Sequence, residues 1–433
     1  MSTETPQPPE SVADSLPAAD SADSAFSTDT RVQTVSTALR EYGARLRSGD
    51  LGSLPAIFGL AVLVILFYGL RPGTFLSTLN LANLLTQAMP VSILAMGLVF
   101  VLLLGEIDLS AGVASGASAA VMAKLLIDGG INWSIAVIAA MATGLLIGAV
   151  IGGLVAIVRI PSFVVTLAFF LGLQGIALKL IGEGGTVPVH DNVINALANQ
   201  NMPVWLGWTL AVVCVVAFAA FELFRLQRQA AKGLSRHPMA LVLARIVVIA
   251  IIVLGATAVL SQNRARVPTI FLGGVPWGVP LVAVLFLVCT FILGRTTYGR
   301  HVYAVGGNAE AARRAGISVV RIRMSVFMIG SMLAAISGII LASRLSSVTP
   351  DAGAGNTLLY AVGAAVIGGT SLFGGRGKAR DAIIGGLVIA TIDNGLGLLG
   401  AKSYLNYLIT GGFLLLAASI DALARRRRSA TGR

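Results

Sequence analysis

The sequence predicts an all-α polytopic integral membrane protein with about 10–12 transmembrane helices, some of them broken or re-entrant, and both termini in the cytoplasm. Three observations predict this fold class. The 433 residues are 56% hydrophobic and only 12% charged, with a mean hydropathy of +0.87. A soluble chain would carry roughly a quarter charged residues. The chain also contains a series of long apolar runs, and its basic residues are unevenly shared between the loops that join them.

The first fifty residues differ from the rest of the chain. They are rich in Ser, Ala, Pro and acidic residues and show no apolar period, so residues 1–50 are predicted to be a disordered cytoplasmic tail. The tail lacks the basic region and early apolar core of a cleaved signal peptide. Its last part, "STALREYGARLRSGD", fits a short interfacial helix and a solvated linker equally well.

A transmembrane domain is predicted over residues 51–424, followed by a basic cytoplasmic tail at 425–433. Each span needs about twenty apolar residues. The second and third spans nearly touch at Gly105, and the polar stretch 182–203 either re-enters the membrane or crosses open water. The twelve predicted spans are 54–70, 84–104, 107–127, 131–157, 162–181, 204–224, 239–261, 277–294, 324–342, 356–372, 381–399 and 404–421.

The distribution of basic residues sets the orientation. With the N-terminus in the cytoplasm, 23 of the 31 Lys and Arg residues fall on the cytoplasmic side and five on the opposite side. This asymmetry follows the positive-inside rule and places both termini in the cytoplasm. It also accounts for the net charge of +12 without nucleic acid, so no nucleic-acid partner is expected.

The longest cytoplasmic loop between two spans, 295–323, has the pattern of a short helix. Asn308 is the expected N-cap, Glu310 lies in the first turn, Arg313 and Arg314 lie in the last, and Gly316 is the expected stop. Gly306 and Gly307 are expected to free the chain before the helix. Because so short a helix is unstable alone in water, we expect it to rest on headgroups or to dock into a cytoplasmic protein through Ala309, Ala312 and Ala315.

Two motifs resemble a known family. "GEIDLSAGVASGASAAVMA" at 105–123 and "TTYGRHVYAVGGNAEAARRAGISVVRIR" at 296–323 resemble the permease subunits of bacterial ABC importers for monosaccharides, of the ribose and xylose type. "AVIGGTSLFGGRGKARDAIIGGLVIATIDNGLGLLG" at 365–400 is a looser match. The extra apolar run at 239–261 makes the layout most similar to xylose-type permeases. Glu106 stands where the family commonly has Gly.

The resemblance implies a multi-pass transport subunit in the bacterial cytoplasmic membrane that imports a monosaccharide, with a pentose such as xylose expected. It implies a homodimer, a cytoplasmic ABC ATPase that uses ATP and Mg²⁺, and an extracytoplasmic sugar-binding protein. This chain would bind no cofactor, since its nearest phosphate-loop lookalike, "LFGGRGKA", lacks the required leading Gly and final Ser or Thr. The resemblance assigns ATPase coupling to Gly306, Gly307, Asn308, Glu310, Ala311, Arg313, Arg314 and Gly316.

Polar residues inside apolar runs are the candidates for the translocation pathway, because polar groups in hydrocarbon are expensive and usually face a cavity or a partner. Glu106 and Asp108 have a spacing of two, which points them apart on a helix and argues against a paired acid/base device. Close helix packing explains the Ser- and Gly-rich stretch after Asp108 equally well. The pathway candidates are Asp108, Ser110, Ser115, Asp393 and Asn394.

No catalytic or metal-binding residue is predicted, because His190, His237 and His301 lie in separate loops without ligand spacing. Two alternatives to the sugar importer remain. One is an ABC permease for another small solute, a branched-chain amino acid or a nucleoside. The other is an ion-coupled secondary transporter, which would also be apolar with broken spans and a few buried acids, but which has no need of a docking helix.

Overall fold

The structure is a computed structural model that describes residues 40, 52–231, 238–265, 269 and 271–430. A π-helical turn, Leu154–Val158, extends the fourth helix. One antiparallel ladder pairs Val187–Pro188 (β1) with Ser347–Val348 (β2). The helices are α1 (Leu54–Leu70), α2 (Thr78–Leu103), α3 (Ala111–Ile127), α4 (Trp133–Gly153), α5 (Ser162–Ile181), α6 (Asn192–Asn199), α7 (Val204–Ala231), α8 (Met239–Ser261), α9 (Gly278–Arg295), α10 (Thr297–Gly307), α11 (Ala309–Arg314), α12 (Val319–Leu345), α13 (Asn356–Gly368), α14 (Ala379–Leu398) and α15 (Ser403–Ala430).

Each of the twelve predicted spans coincides with a helix. In the described part of the chain, eight helices are long and apolar enough to cross a membrane, and four shorter apolar helices accompany them. The all-α polytopic fold class is therefore confirmed. The predicted tail 1–50 lies outside the described residues apart from Arg40, and the predicted tail 425–433 begins inside α15, which continues to Ala430.

Helix α13 is shorter than the predicted span 356–372. Its 13 residues rise about 20 Å, less than the roughly 30 Å of a bilayer core. The helix stops at Gly368 because Gly369 adopts a φ of +120°, which L side chains rarely adopt. This part of the chain is therefore a partial span preceded by a loop, in line with the prediction that some spans are broken.

Helices α2 and α12 form the centre of the bundle, and most residues of their apolar windows are buried. They approach closely at Gly97, where an added Cβ atom would lie 2.8 Å from the carbonyl oxygen of Gly330. Nearby, the Ser337 hydroxyl donates a 2.6 Å hydrogen bond to the carbonyl of Pro90. Small residues and interhelical hydrogen bonds of this kind hold helices together where lipid replaces water.

Gly144, Gly148 and Gly152 recur at GxxxG spacing in the sequence, which predicts a helix-packing surface rather than a functional site. In the structure this glycine ladder of α4 packs against α12. A Cβ atom at Gly144 would lie 2.6 Å from the carbonyl oxygen of Ser331, and one at Gly152 would lie 2.9 Å from the Met324 Cα. At Gly148, between them, a Cβ atom would overlap the backbone of α12. The interpretation of the ladder as a packing surface is confirmed.

Loops that the charge count assigns to the same side meet at the same end of the bundle. At one end, Gly375 bonds to Leu103. At the other end, β1 pairs with β2 and the Met202 N–H donates to the carbonyl of Val275 (2.8 Å). The stretch 182–203 lies at this second end, where it forms β1 and α6.

Contacts divide the chain into two compact units, of which the smaller contains residues 213–231 and 238–251 of the described chain. Within this unit the Arg228 guanidinium lies 4.6 Å from the centre of the Phe224 ring, and Arg225 pairs with Glu222 at 3.8 Å. Large apolar side chains such as Ile251 are exposed, as expected for helices that face lipid. The larger unit contains the rest of the described chain, including every residue of the site described below.

Candidate functional site

Three segments that are distant in sequence meet at one end of the bundle. They are the turn 104–110, the helices α10 and α11, and the loop 371–378, and we call them together the junction. The Gly375 N–H donates a 2.8 Å hydrogen bond to the carbonyl of Leu103, and a Cβ atom at Gly306 would overlap that same carbonyl. The Phe373 carbonyl lies 3.5 Å from the Cβ position of Gly105. The three motifs that carry the family resemblance thus form one site.

A tyrosine fastens α10 to the loop of the junction. The Tyr303 hydroxyl donates a 2.6 Å hydrogen bond to the Gly377 carbonyl. Burial raises the pKa of Tyr303, and the nearby charge of Asp381 raises it further. The phenol therefore stays protonated near neutral pH and keeps its role as a donor.

Helix α11 has the predicted caps. The Asn308 side chain accepts a hydrogen bond from the Ala311 N–H (2.9 Å), and Gly316 ends the helix with a φ of +82°. Glu310 pairs with Arg313 at 3.1 Å and with Arg314 at 3.4 Å. Because these side chains are exposed, each pair contributes at most about 1 kcal/mol, and the tertiary contacts of the helix must hold it in place.

Two expectations about this loop need correction. Gly306 does not free the chain, because it lies inside α10 and its missing side chain lets α10 touch the backbone at Leu103. The prediction that Ala309, Ala312 and Ala315 dock into a partner protein is also wrong in part. Ala312 is 5% exposed and packs into the apolar core of this chain, together with half-buried Ala309, while Ala315 is exposed. The exposed side of α11 instead carries Glu310, Ala311, Arg313 and Arg314.

We expect Gly316→Val to weaken the end of α11 by about 1–2 kcal/mol, because a β-branched residue resists the left-handed backbone at this position. No atom in the described part of the chain lies within 4 Å of the added Cβ, so the expected effect comes from the backbone conformation and not from a clash with these residues. Gly316→Asn is the matched control, since Asn tolerates this conformation. The measurement is the thermal stability of the purified protein. Equal behaviour of the Val and Asn variants would contradict the helix-stop role.

The GEIDLS turn that precedes α3 is held by buried hydrogen bonds. One carboxylate oxygen of Asp108 accepts from the Ser110 N–H (2.9 Å) and from the Ser110 hydroxyl (2.6 Å). The Ser162 hydroxyl accepts a 3.3 Å bond from the Ile107 N–H, which ties the turn to α5. Asp108 is 2% exposed and Ser110 is fully buried. Both residues therefore organise the start of α3.

Glu106 and Asp108 lie in a turn rather than on a helix, and their carboxylates have different partners. The Glu106 carboxylate lies 3.2 Å from the Nε atom of Arg323 at the base of α12, as an ion pair without a hydrogen bond. The residue that departs from the family pattern thus has a charged partner in this chain. The pair links the GEIDLS turn to the segment that follows α11.

Ser115 and the adjacent glycines pack against the loop before α13. The Ser115 hydroxyl donates to the Gly112 carbonyl (2.6 Å). A Cβ atom at Gly116 would overlap the carbonyl of Ala352, and one at Gly353 would lie 2.7 Å from the Ser115 hydroxyl. Ser115 is fully buried within this single chain. The geometry supports the close-packing interpretation of this stretch.

Asp393 and Asn394 are adjacent in sequence but face different environments. Asn394 is buried and exchanges two hydrogen bonds with Asn80 of α2 (2.8 and 3.0 Å). Asp393 is exposed and accepts a 2.5 Å hydrogen bond from the Asn406 amide of α15. The structure therefore gives Asn394 an interhelical packing role, and it leaves the carboxylate of Asp393 on the surface of the chain.

Sequence reasoning missed several partners of these residues. Asn406 is a polar residue inside the predicted span 404–421, so the rule that singled out Asp393 would also have found it. Asn80 lies before the predicted span 84–104, so the same rule would have missed it. Tyr303 and Arg323 carry no such signal, because both lie in the polar loop 295–323 where any residue type is expected. Only the folded backbone shows that they reach other segments of the chain.

Comparisons with known proteins agree with the motifs. A family described as "Branched-chain amino acid transport system / permease component" matches residues 80–418. The xylose transport system permease protein XylH of Escherichia coli (strain K12) is 36% identical over 88% of this chain and 94% of its own. XylH of Haemophilus influenzae is 34% identical over 88% of this chain and 99% of its own. The ribose import permease protein RbsC of E. coli (strain K12) is 32% identical over 84% of this chain and 92% of its own. No solved structure matches.

Proposed function

The chain belongs to this family of permease components, and from that premise we propose that it is the membrane-spanning subunit of an ATP-driven importer for a monosaccharide, with a pentose such as xylose expected. The family resemblance inferred from the motifs is confirmed, as is a multi-pass protein of the cytoplasmic membrane. The observation that carries the proposal is the similarity to xylose and ribose permeases over most of the chain. We propose that this chain is a transport subunit and that ATP hydrolysis belongs to a separate subunit.

The junction is proposed as the surface that receives the ATPase subunit. Helix α11 is too short to be stable alone, but Ala312 anchors it in the core of this chain. Its exposed side therefore presents Glu310, Ala311, Arg313 and Arg314 in a fixed orientation, next to Asn308 and Gly316. Gly306 and Gly307 belong to α10, which connects this surface to the GEIDLS turn.

The proposed importer has further parts besides this chain. A separate cytoplasmic ATPase uses ATP and Mg²⁺, and a sugar-binding protein delivers the substrate from outside. Two copies of this chain form the translocation path, and neither copy holds a cofactor. Both termini are cytoplasmic, as the charge distribution indicates. Of the pathway candidates, Asp393 is proposed to contact the path directly, because Asp108, Ser110, Ser115 and Asn394 are buried within one chain.

The test of the proposed function is uptake into vesicles. We expect D-xylose to accumulate when the chain is reconstituted with its ATPase, internal ATP and the external binding protein. We expect no accumulation by the chain alone on an imposed proton or sodium gradient. Accumulation on the gradient would favour the secondary transporter, and ATP-driven uptake of leucine or a nucleoside in place of D-xylose would favour the other class of ABC permease.

A further inference from the structure

Helix α14 carries an exposed carboxylate inside a membrane-spanning segment. Asp393 lies five residues before the end of the helix at Leu398, about 8 Å along its axis. It is exposed although most of the apolar window of the helix is buried. A charged side chain against hydrocarbon costs several kcal/mol. We therefore expect the surface around Asp393 to face water when the protein is in the membrane.

Polar side chains of α15 continue from this carboxylate. The Asn406 amide donates to one Asp393 oxygen at 2.5 Å, and the Thr410 hydroxyl donates to the Asn406 amide oxygen at 3.2 Å. Within the described residues, no hydrogen bond reaches the second Asp393 oxygen and no ion pair within 4 Å involves Asp393. The chain of bonds fixes the orientation of the carboxylate and leaves it one free acceptor.

Two tyrosines lie on the helices that pack beside α14. Tyr407 follows Asn406 on α15, and Tyr360 lies on α13, which packs against α14 and α15. The charge of Asp393 also acts on Tyr360 and on Arg344 at the end of α12. Tyr407 is 54% exposed. A fixed acceptor, an amide and two amphipathic rings are the groups that a polyhydroxyl ring can use, through its hydroxyls and its apolar faces. A metal cation fits less well, because only one carboxylate is present and Arg344 adds positive charge nearby.

Resting on the proposed function, we propose that Asp393, Asn406, Tyr360 and Tyr407 form a contact site for the transported monosaccharide in the outer part of the path. Asp393 accepts hydrogen bonds from sugar hydroxyls, Asn406 holds it in place, and the two rings lie against the sugar. Sugar selectivity is then shared between the binding protein and this site.

The first test uses the complete reconstituted importer and D-xylose. We expect Asp393→Asn to lower the number of D-xylose molecules imported per ATP hydrolysed by about tenfold, since a hydrogen bond to a charged group is among the stronger polar contacts. Asp128→Asn is the matched control, because Asp128 is an exposed carboxylate paired with Lys124 (2.5 Å) at the end of α3. Its ratio should equal that of the wild type. A wild-type ratio in Asp393→Asn would overturn the inference and leave the proposed function standing, whereas failure of ATP-driven uptake in the wild type would refute the proposed function itself.

The second test measures water access in the assembled importer. In a variant with the exposed Cys214 replaced by Ser, we expect Asp393→Cys to react with a membrane-impermeant thiol reagent and to be protected by D-xylose-loaded binding protein. Leu287→Cys should not react, because this 59% exposed leucine lies on the apolar face of α9. Failure of the Asp393→Cys variant to react would overturn the inference, since the position would then lie against lipid or between the two copies.

Discussion

Gly306→Ala should reduce the stimulation of the ATPase partner by sugar-loaded binding protein about tenfold or more. The added methyl group would overlap the carbonyl oxygen of Leu103 and lie 3.1 Å from the backbone nitrogen of Gly375. Both contacts are backbone atoms that cannot rotate away, so α10 must move. Overpacking of this kind costs about 1–3 kcal/mol, which corresponds to about a fivefold to 150-fold change in an equilibrium. The shift would separate α10 and α11 from the GEIDLS turn and from the loop 371–378.

The neighbouring residue supplies the control for this prediction. Among the described residues, no atom lies within 4 Å of a Cβ atom at Gly307, so Gly307→Ala should retain the stimulation of the wild type. The measurement is ATPase activity in reconstituted vesicles, together with a size profile that shows intact protein. If sugar-loaded binding protein stimulates the ATPase normally with both variants, the close approach of α10 to the GEIDLS turn does not couple the ATPase to this chain.

Gly148→Ile should have the largest effect on folding. Its side chain would overlap the Phe327 carbonyl and lie 2.6 Å or less from the Met328 Cα. Gly148 is the middle residue of the ladder that packs α4 against α12. Since helices in lipid are held by close packing rather than by the hydrophobic effect, separating them removes the contact itself. We expect a loss of more than about 3 kcal/mol, because backbone and not side chains must move.

Gly153→Ile is the matched change on the same helix, where no atom of a described residue lies within 4 Å of the Cβ position. It should yield monodisperse protein with a wild-type melting temperature in detergent. Gly148→Ile should yield aggregated protein or lower the melting temperature by many degrees. A monodisperse, wild-type-like Gly148→Ile protein would show that α4 and α12 do not pack through the ladder.

Features with a local cause were predictable from the sequence. The spans follow from runs of apolar residues, because every backbone polar group in the bilayer must be satisfied within the segment and a helix does this. Asn308 and Gly316 were identified as the cap and the stop of α11 because capping depends on residues three or four positions apart. The ladder from Gly144 to Gly152 was identified for the same reason, since its spacing alone places these residues on one face.

The sequence alone determined that this is a polytopic membrane permease with a short capped helix between two of its spans. Only the tertiary structure decided which of two adjacent residues has a neighbour. A Cβ atom at Gly306 would overlap the carbonyl of Leu103, whereas one at Gly307 would meet no atom of the described residues within 4 Å. Ala312 enters the core while Ala311 stays outside, and Asn394 is buried while Asp393 faces outward. Each of these contacts joins helices far apart in the chain, and the composition of one helix does not reveal which helix will pack against it or on which face.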